Sequence, residues 1–151
     1  MGYDFGVGRE APTFALTAHD GGEINLKQYR GDWFPVLVFF STASAGAAAQ
    51  LKALAGQAAG FWGLRGQLVG VTSGHDAEVQ AFVAGIEGLS FPVVADDGRA
   101  ALAFGAGKAV TGDGPPLAVV VDRAGKVVWM GEGDDDLKPA ALLAALRSIA
   151  R

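Results

Sequence analysis

Val36-Leu37-Val38-Phe39-Phe40 is an uninterrupted apolar segment with strand character. A run of β-branched and aromatic residues without alternation predicts a strand covered on both faces. A short polar stretch, Ser41 to Ala45, follows. From Gly46 the chain turns Ala-rich, with Leu51, Leu54, Ala58 and Phe61 at helical spacing, which predicts a helix. A second buried strand is expected over 67–72. After the polar turn Ser73-Gly74-His75-Asp76, residues Val79, Phe82, Val83 and Ile86 fall at i, i+3, i+4 and i+7 and predict an amphipathic helix. Leu142, Leu143, Leu146 and Ile149 mark the buried face of a last helix, expected to open at Asp134-Asp135-Asp136.

Between these anchors the pattern is shorter-ranged. Residues 1–12 read as an irregular arm. Phe14 to Thr17 and Glu23 to Leu26 flank Asp20-Gly21-Gly22 and predict an N-terminal hairpin. Leu26 to Tyr29 predicts one helical turn, closed by Gly31. A strand is expected over 91–95, a short helix over 100–104 and a loop over 106–116. Two strands, 117–121 and 126–130, are joined by Asp122-Arg123-Ala124-Gly125. Alternating β and α elements followed by a final hairpin imply an α/β fold with a central mixed sheet flanked by helices. With 151 residues and no repeat or composition break, the chain reads as one domain over 1–151.

Composition narrows the chemistry. The net charge of −4 and the lack of any basic block with interleaved aromatics argue against nucleic acid and against an anionic membrane surface. No apolar run approaches the ~20 residues of a membrane span. Met1 to Gly6 lacks the basic-then-apolar pattern of a secretory signal, so a cytoplasmic location is expected. The sequence holds no cysteine, which excludes disulfides, thiolate metal sites and thiol catalysis by this chain. No metal or cofactor motif is present. Asp134-Asp135-Asp136 lacks the spacing of a calcium loop, and Gly105-Ala106-Gly107 lacks the Lys-Ser/Thr of a phosphate loop.

Several local sequences, in order, resemble the redoxins of the thioredoxin fold, and more narrowly the alkyl hydroperoxide reductase/thiol-specific antioxidant family of peroxiredoxins and thiol–disulfide reductases. Gly8-Arg9-Glu10-Ala11-Pro12-Thr13-Phe14-Ala15-Leu16 resembles that family's opening G-x-x-A-P-x-F-x-L. Asp20-Gly21, Leu26, Gly31 and Val36 to Phe40 follow its D-G…L…G…V-L-V-x-F. Phe91-Pro92 to Asp96 resembles F-P-x-x-x-D, and Val119 to Val128 resembles F-x-I-D-x-x-G-x-I. The resemblance implies a thioredoxin-like fold, thiol-dependent oxidoreductase chemistry of the antioxidant kind, no cofactor, and a homodimer formed through sheet edges or active-site faces.

The reactive loop departs from that pattern. Aligned on Gln50-Leu51-Lys52-Ala53-Leu54, the family's two cysteine positions fall at Ser44 and Ala47, neither competent as a thiol. The arginine that the peroxidases carry six residues before Asp122 is replaced by Pro116, where the reductases carry a cis-proline facing the loop. The implied form is therefore redox-inactive. Two further readings stand beside it: a catalytically dead redoxin-fold module that binds a partner through the small-residue surface Ala43 to Ala49, or a Cys-to-Ala/Ser variant of an active enzyme.

The remaining candidates have plainer structural readings. Thr42 and Ser44 suit a helix N-cap. A nucleophilic Ser44 would need a base, and only His19 and His75 exist. His75 suits a helix-start turn and His19 a solvated turn. Trp33, Trp62 and Trp129 are expected to pack in the core or at the sheet edge.

Overall fold

A computed structural model describes residues 7–149. Seven strands and six α-helices occur among them. A small antiparallel hairpin, β1 (Ala15–Thr17) and β2 (Glu23–Asn25), precedes a 3-10 turn at Leu26–Tyr29. The main sheet holds β3 (Phe34–Phe39), β4 (Gly66–Ser73), β5 (Val93–Asp96), β6 (Leu117–Val121) and β7 (Val127–Glu132) in the order β5-β4-β3-β6-β7. β3 runs parallel to β4 and antiparallel to β6, so the predicted mixed sheet is found, with the apolar run at its centre. Every residue of β3 is buried.

The alternation along β3 divides the molecule into two cores. Val36, Val38 and Phe40 face one layer, made of α1 (Ala47–Gly56), α2 (Ala58–Gly63), α3 (Asp76–Ala84) and α6 (Pro139–Ile149). Leu37 and Phe39 face the other, which holds α4 (Arg99–Ala103), α5 (Gly107–Thr111) and the N-terminal hairpin. Helices therefore flank both faces, as expected of strands that are apolar on both sides.

Four expectations are corrected. The last helix opens at Pro139, not at the aspartates, because each aspartate is engaged in the preceding turn. Asp134 accepts from Gln50, Asp135 pairs with Lys138 and Asp136 accepts from the Glu132 N–H. Proline suits the first helical position, where its missing N–H costs nothing. The presumed loop 106–116 contains α5, ended by Gly112 at φ +87°. The long helix after Gly46 breaks at Gln57 into α1 and α2, beside the weak helix former Gly56. β5 starts at Val93, since Pro92 has no N–H to give to a ladder.

The arm is less irregular than its composition suggests. Gly8 donates to Val127 and Val127 donates to Arg9, so the arm lies along β7. Residues 1–6 of the expected arm lie outside the described residues. Among the described residues no helix is long and apolar enough to cross a membrane.

Candidate functional site at the start of α1

The C-terminal end of β3 delivers the chain to Ser41 beneath the first turn of α1. Ser41 is buried, and its Oγ accepts the Ala43 N–H at 3.2 Å, folding the loop back on itself. The Ser44 N–H then donates to the Ser41 carbonyl and the Ala47 N–H to the Ser44 carbonyl, each at 3.2 Å. Gly46 enters the helix at φ +86°, a left-handed conformation that favours glycine. No side chain caps this end of α1. The N-cap role expected of Thr42 or Ser44 is thus corrected: Gly46 occupies the cap, and Ser44 stays exposed.

Ala47 is 4% exposed, while Ala43, Ala45, Ala48 and Ala49 face outward. Ser44, Ala47 and Pro116, the three positions singled out in the sequence, do converge. Together with Phe40, Ser41, Ala45, Gln50, Ala109 and Asp134 they line a cavity of about 30 Å³, room for little more than a water molecule. Gln50 Nε2 donates to Asp134 Oδ1 at 2.7 Å and ties α1 to the turn before α6 beside this cavity. Gly112, at the end of α5, lies so close that a Cβ there would stand 3.1 Å from Ser41 Oγ.

The cis peptide expected at Pro116 is absent, since all peptide bonds among the described residues are trans. Trans is the favoured state of an X–Pro bond, and in this arrangement the Pro116 carbonyl accepts the Gly133 N–H at 2.9 Å as the chain enters β6. Pro116 nonetheless faces the loop, as the pattern implied.

The electrostatics are one-sided. Among the described residues, the sole ionisable side chain on the cavity wall is the Asp134 carboxylate. The backbone at the start of α1 favours an anion, but among the described residues no cationic side chain lines the cavity there. Gln50, Asp134 and Ala109 escaped sequence reasoning. Gln50 alone carried a signal, because it follows Ala47 by three positions and so shares its helix face.

The alternative nucleophile does not assemble. His75 caps α3, where its N–H donates to Glu78 Oε1 at 3.3 Å, and its side chain is 92% exposed. No hydrogen bond joins it to Ser44 among the described residues. His19 is half-buried rather than solvated. Its Nδ1 accepts the Val93 N–H at 3.1 Å and its own N–H donates to the Val93 carbonyl, so it fastens the hairpin to β5. Trp129 packs on the core, and the guanidinium of Arg65 lies 5.8 Å above the Trp33 ring. Trp62 departs from the expected packing and is 57% exposed, because Phe61 takes the inward position of α2. Among the described residues no cluster of His, Asp or Glu could hold a metal ion.

Solved structures share this architecture. Peroxidoxin BcpB from Mycobacterium tuberculosis superposes with a TM-score of 0.80 at 23% identity, covering 96% of this chain and 98% of that one. Mycobacterium tuberculosis AhpC gives 0.80 at 17% identity, covering 96% and 93%. A protein assigned as thiol:disulfide interchange protein DsbE from Chlorobium tepidum gives 0.77 at 23% identity, covering 95% and 99%. At these identities the likeness shows the fold: a thioredoxin-like fold of the peroxiredoxin kind. No functionally curated protein matches the chain at a significant level. The AhpC/TSA family model matches residues 7–130, from the arm on β7 through the loop before α1 and into β7. The chain therefore belongs to the AhpC/TSA family, as a member without a cysteine.

Proposed function

We propose that this chain is a redox-inactive member of its family that works as a binding module through the face where relatives would carry a reactive thiol. The observation that carries this reading is the wall of the Ala47 cavity. It holds an acid, Asp134, and no base or cation, and Ala47 itself is buried. A reactive thiolate calls for an electropositive, partly exposed surround. The loss here is therefore wider than one sulfur atom, which favours a site that has left redox chemistry over an active site stripped of its nucleophile. Around it, Ala43, Ala45, Ala48 and Ala49 form an exposed surface of small side chains that a partner can approach closely.

The test compares this chain with Ala47→Cys, Ser44→Cys and the double variant. Peroxide consumption and insulin-disulfide reduction are followed with dithiothreitol as reductant. The expected result is no turnover by the unmodified chain and none above background by the folded variants. A single restored cysteine that turns over would instead mark a redox site whose nucleophile alone had been removed. Turnover by the unmodified chain would overturn the reading altogether.

A further inference from the structure

One edge of the main sheet is β5, and the turn of the N-terminal hairpin closes on it. His19 takes both backbone groups that Val93 turns toward the hairpin. Its own N–H donates to the Val93 carbonyl at 2.8 Å, and its Nδ1 accepts the Val93 N–H at 3.1 Å. The imidazole thus does what the carbonyl of a neighbouring strand would do. Beside it, Ala18 forms an isolated antiparallel bridge with Val94. The turn itself presents His19 to the edge. The Ala18 N–H donates to the Gly22 carbonyl, the Gly21 N–H to the Ala18 carbonyl, and Asp20 Oδ1 accepts the Gly22 N–H.

This arrangement commits the ring to one state. Nδ1 accepts only while its lone pair is free, so the ring is neutral with its proton on Nε2. A protonated imidazole donates from both nitrogens, and the Val93 N–H would then face a second donor. Histidine is the side chain suited to change charge between about pH 5 and 8. The charged groups on the elements around it are Asp20 and Glu23 on the hairpin, Asp76, Glu78 and Glu87 on α3 and the turn after it, Asp96 on β5, and Asp97 and Arg99 at the start of α4. None of them forms an ion pair with the His19 ring among the described residues. Asp20 and Asp96 accept backbone N–H groups, Asp97 pairs with Arg99, and Glu78 lies beside His75.

We propose that His19 is a pH-sensitive clasp: with its ring neutral it closes the hairpin on the edge of β5, and on protonation it releases the Val93 N–H and uncovers that edge. The closed form is favoured at high pH and is lost as the pH falls. A freed edge offers unpaired N–H and C=O groups to another strand.

The experiment is amide exchange of the full chain followed by NMR, as protection relative to the intrinsic rate at each pH, together with the nitrogen shifts of the imidazole. At about pH 8 the His19 proton should sit on Nε2. Between about pH 8 and about pH 5, protection at Val93 should fall at least about tenfold. Val38, at the centre of the sheet, should keep its protection and so report that the fold is intact. His19→Asn and His19→Ala remove the titrating ring, so Val93 protection in each should be the same at both pH values. In His19→Ala it should also stay below that of the unmodified chain at the higher pH. A proton on Nδ1 at the higher pH, or a Val93 protection that does not change in the unmodified chain, would overturn the proposal. So would a fall of equal size in either variant, or full protection retained by His19→Ala.

Discussion

Thr72 offers a sharp test of how the sheet is packed beneath the site. It lies on β4, which runs parallel to β3, and is opposite Ala95 of β5. Its side chain is fully buried, and its Oγ1 has no hydrogen-bond partner among the described residues. Leaving a hydroxyl unpaired in an apolar setting costs ~1–3 kcal/mol on the scale of protein mutations. Thr72→Val removes that cost and keeps the β-branch that suits a strand. The new methyl replaces an oxygen of similar size, so no cavity opens. The expected gain is therefore ~1–2 kcal/mol. For a chain of this length that is a rise in Tm of roughly 2–4 °C per kcal/mol. Urea unfolding should show a higher midpoint at unchanged slope, the signature of a stability change without a change in the surface exposed. Thr72→Ser keeps the hydroxyl and deletes a buried methyl, and should lose about 1 kcal/mol. A Val variant destabilised by 1 kcal/mol or more would refute the reasoning, because the hydroxyl would then have to be satisfied.

Three further outcomes are expected. Gly66→Ala would place a Cβ 2.5 Å from Leu146 Cδ2 and 3.2 Å from the Phe61 carbonyl oxygen, so thermal unfolding should show a loss of ~1–3 kcal/mol from overpacking. Asp96→Ala removes a buried carboxylate that accepts the Ala100 and Ala101 N–H groups at 3.2 and 2.8 Å. It should cost ~1–3 kcal/mol and expose α4 to early proteolysis. Hydrogen bonds from Arg99 hold the exposed Asp97 carboxyl below the ordinary aspartate value of 3.8. Its folded pKa is depressed, so its small contribution to stability is present above the unfolded value and fades as pH falls through the folded one. NMR titration of Arg99→Ala should return Asp97 toward 3.8.

What the sequence made legible follows the range of the interactions involved. Most of β3 is written in the apolar run Val36 to Phe39, and α3 in the spacing of Val79, Phe82 and Val83, because strand and helix periodicities are local. The nearness of Pro116 to Ser44 and Ala47 was implied only by the family resemblance, since no local pattern links position 116 to the loop before α1. Other features were hidden for physical reasons. α5 sits between Gly105 and Gly112, where weak helix formers mask a short helix held by packing of Ala109 and Val110. Gln50 and Asp134 are 84 residues apart, and no local pattern pairs them. Trp62 was expected in the core or at an edge from its place at a helix end, yet Phe61 is the buried residue of α2.

The fold owes nothing to sulfur chemistry. The reactive loop is shaped by the Ser41 hydroxyl, the left-handed Gly46 and the close approach of Gly112, none of which requires a thiol. The cores on both sides of β3 close without a polar group from the site. An uncapped helix start beneath a small cavity is thus a consequence of the topology, and reactivity must be added by the side chains placed there. Here those side chains are two serines, two alanines, a glutamine, a proline and an acid, with Phe40 and Ala109 closing the base. They can pack, donate and accept hydrogen bonds, and present a shaped surface, and among the described residues no base or cation lines the cavity with them.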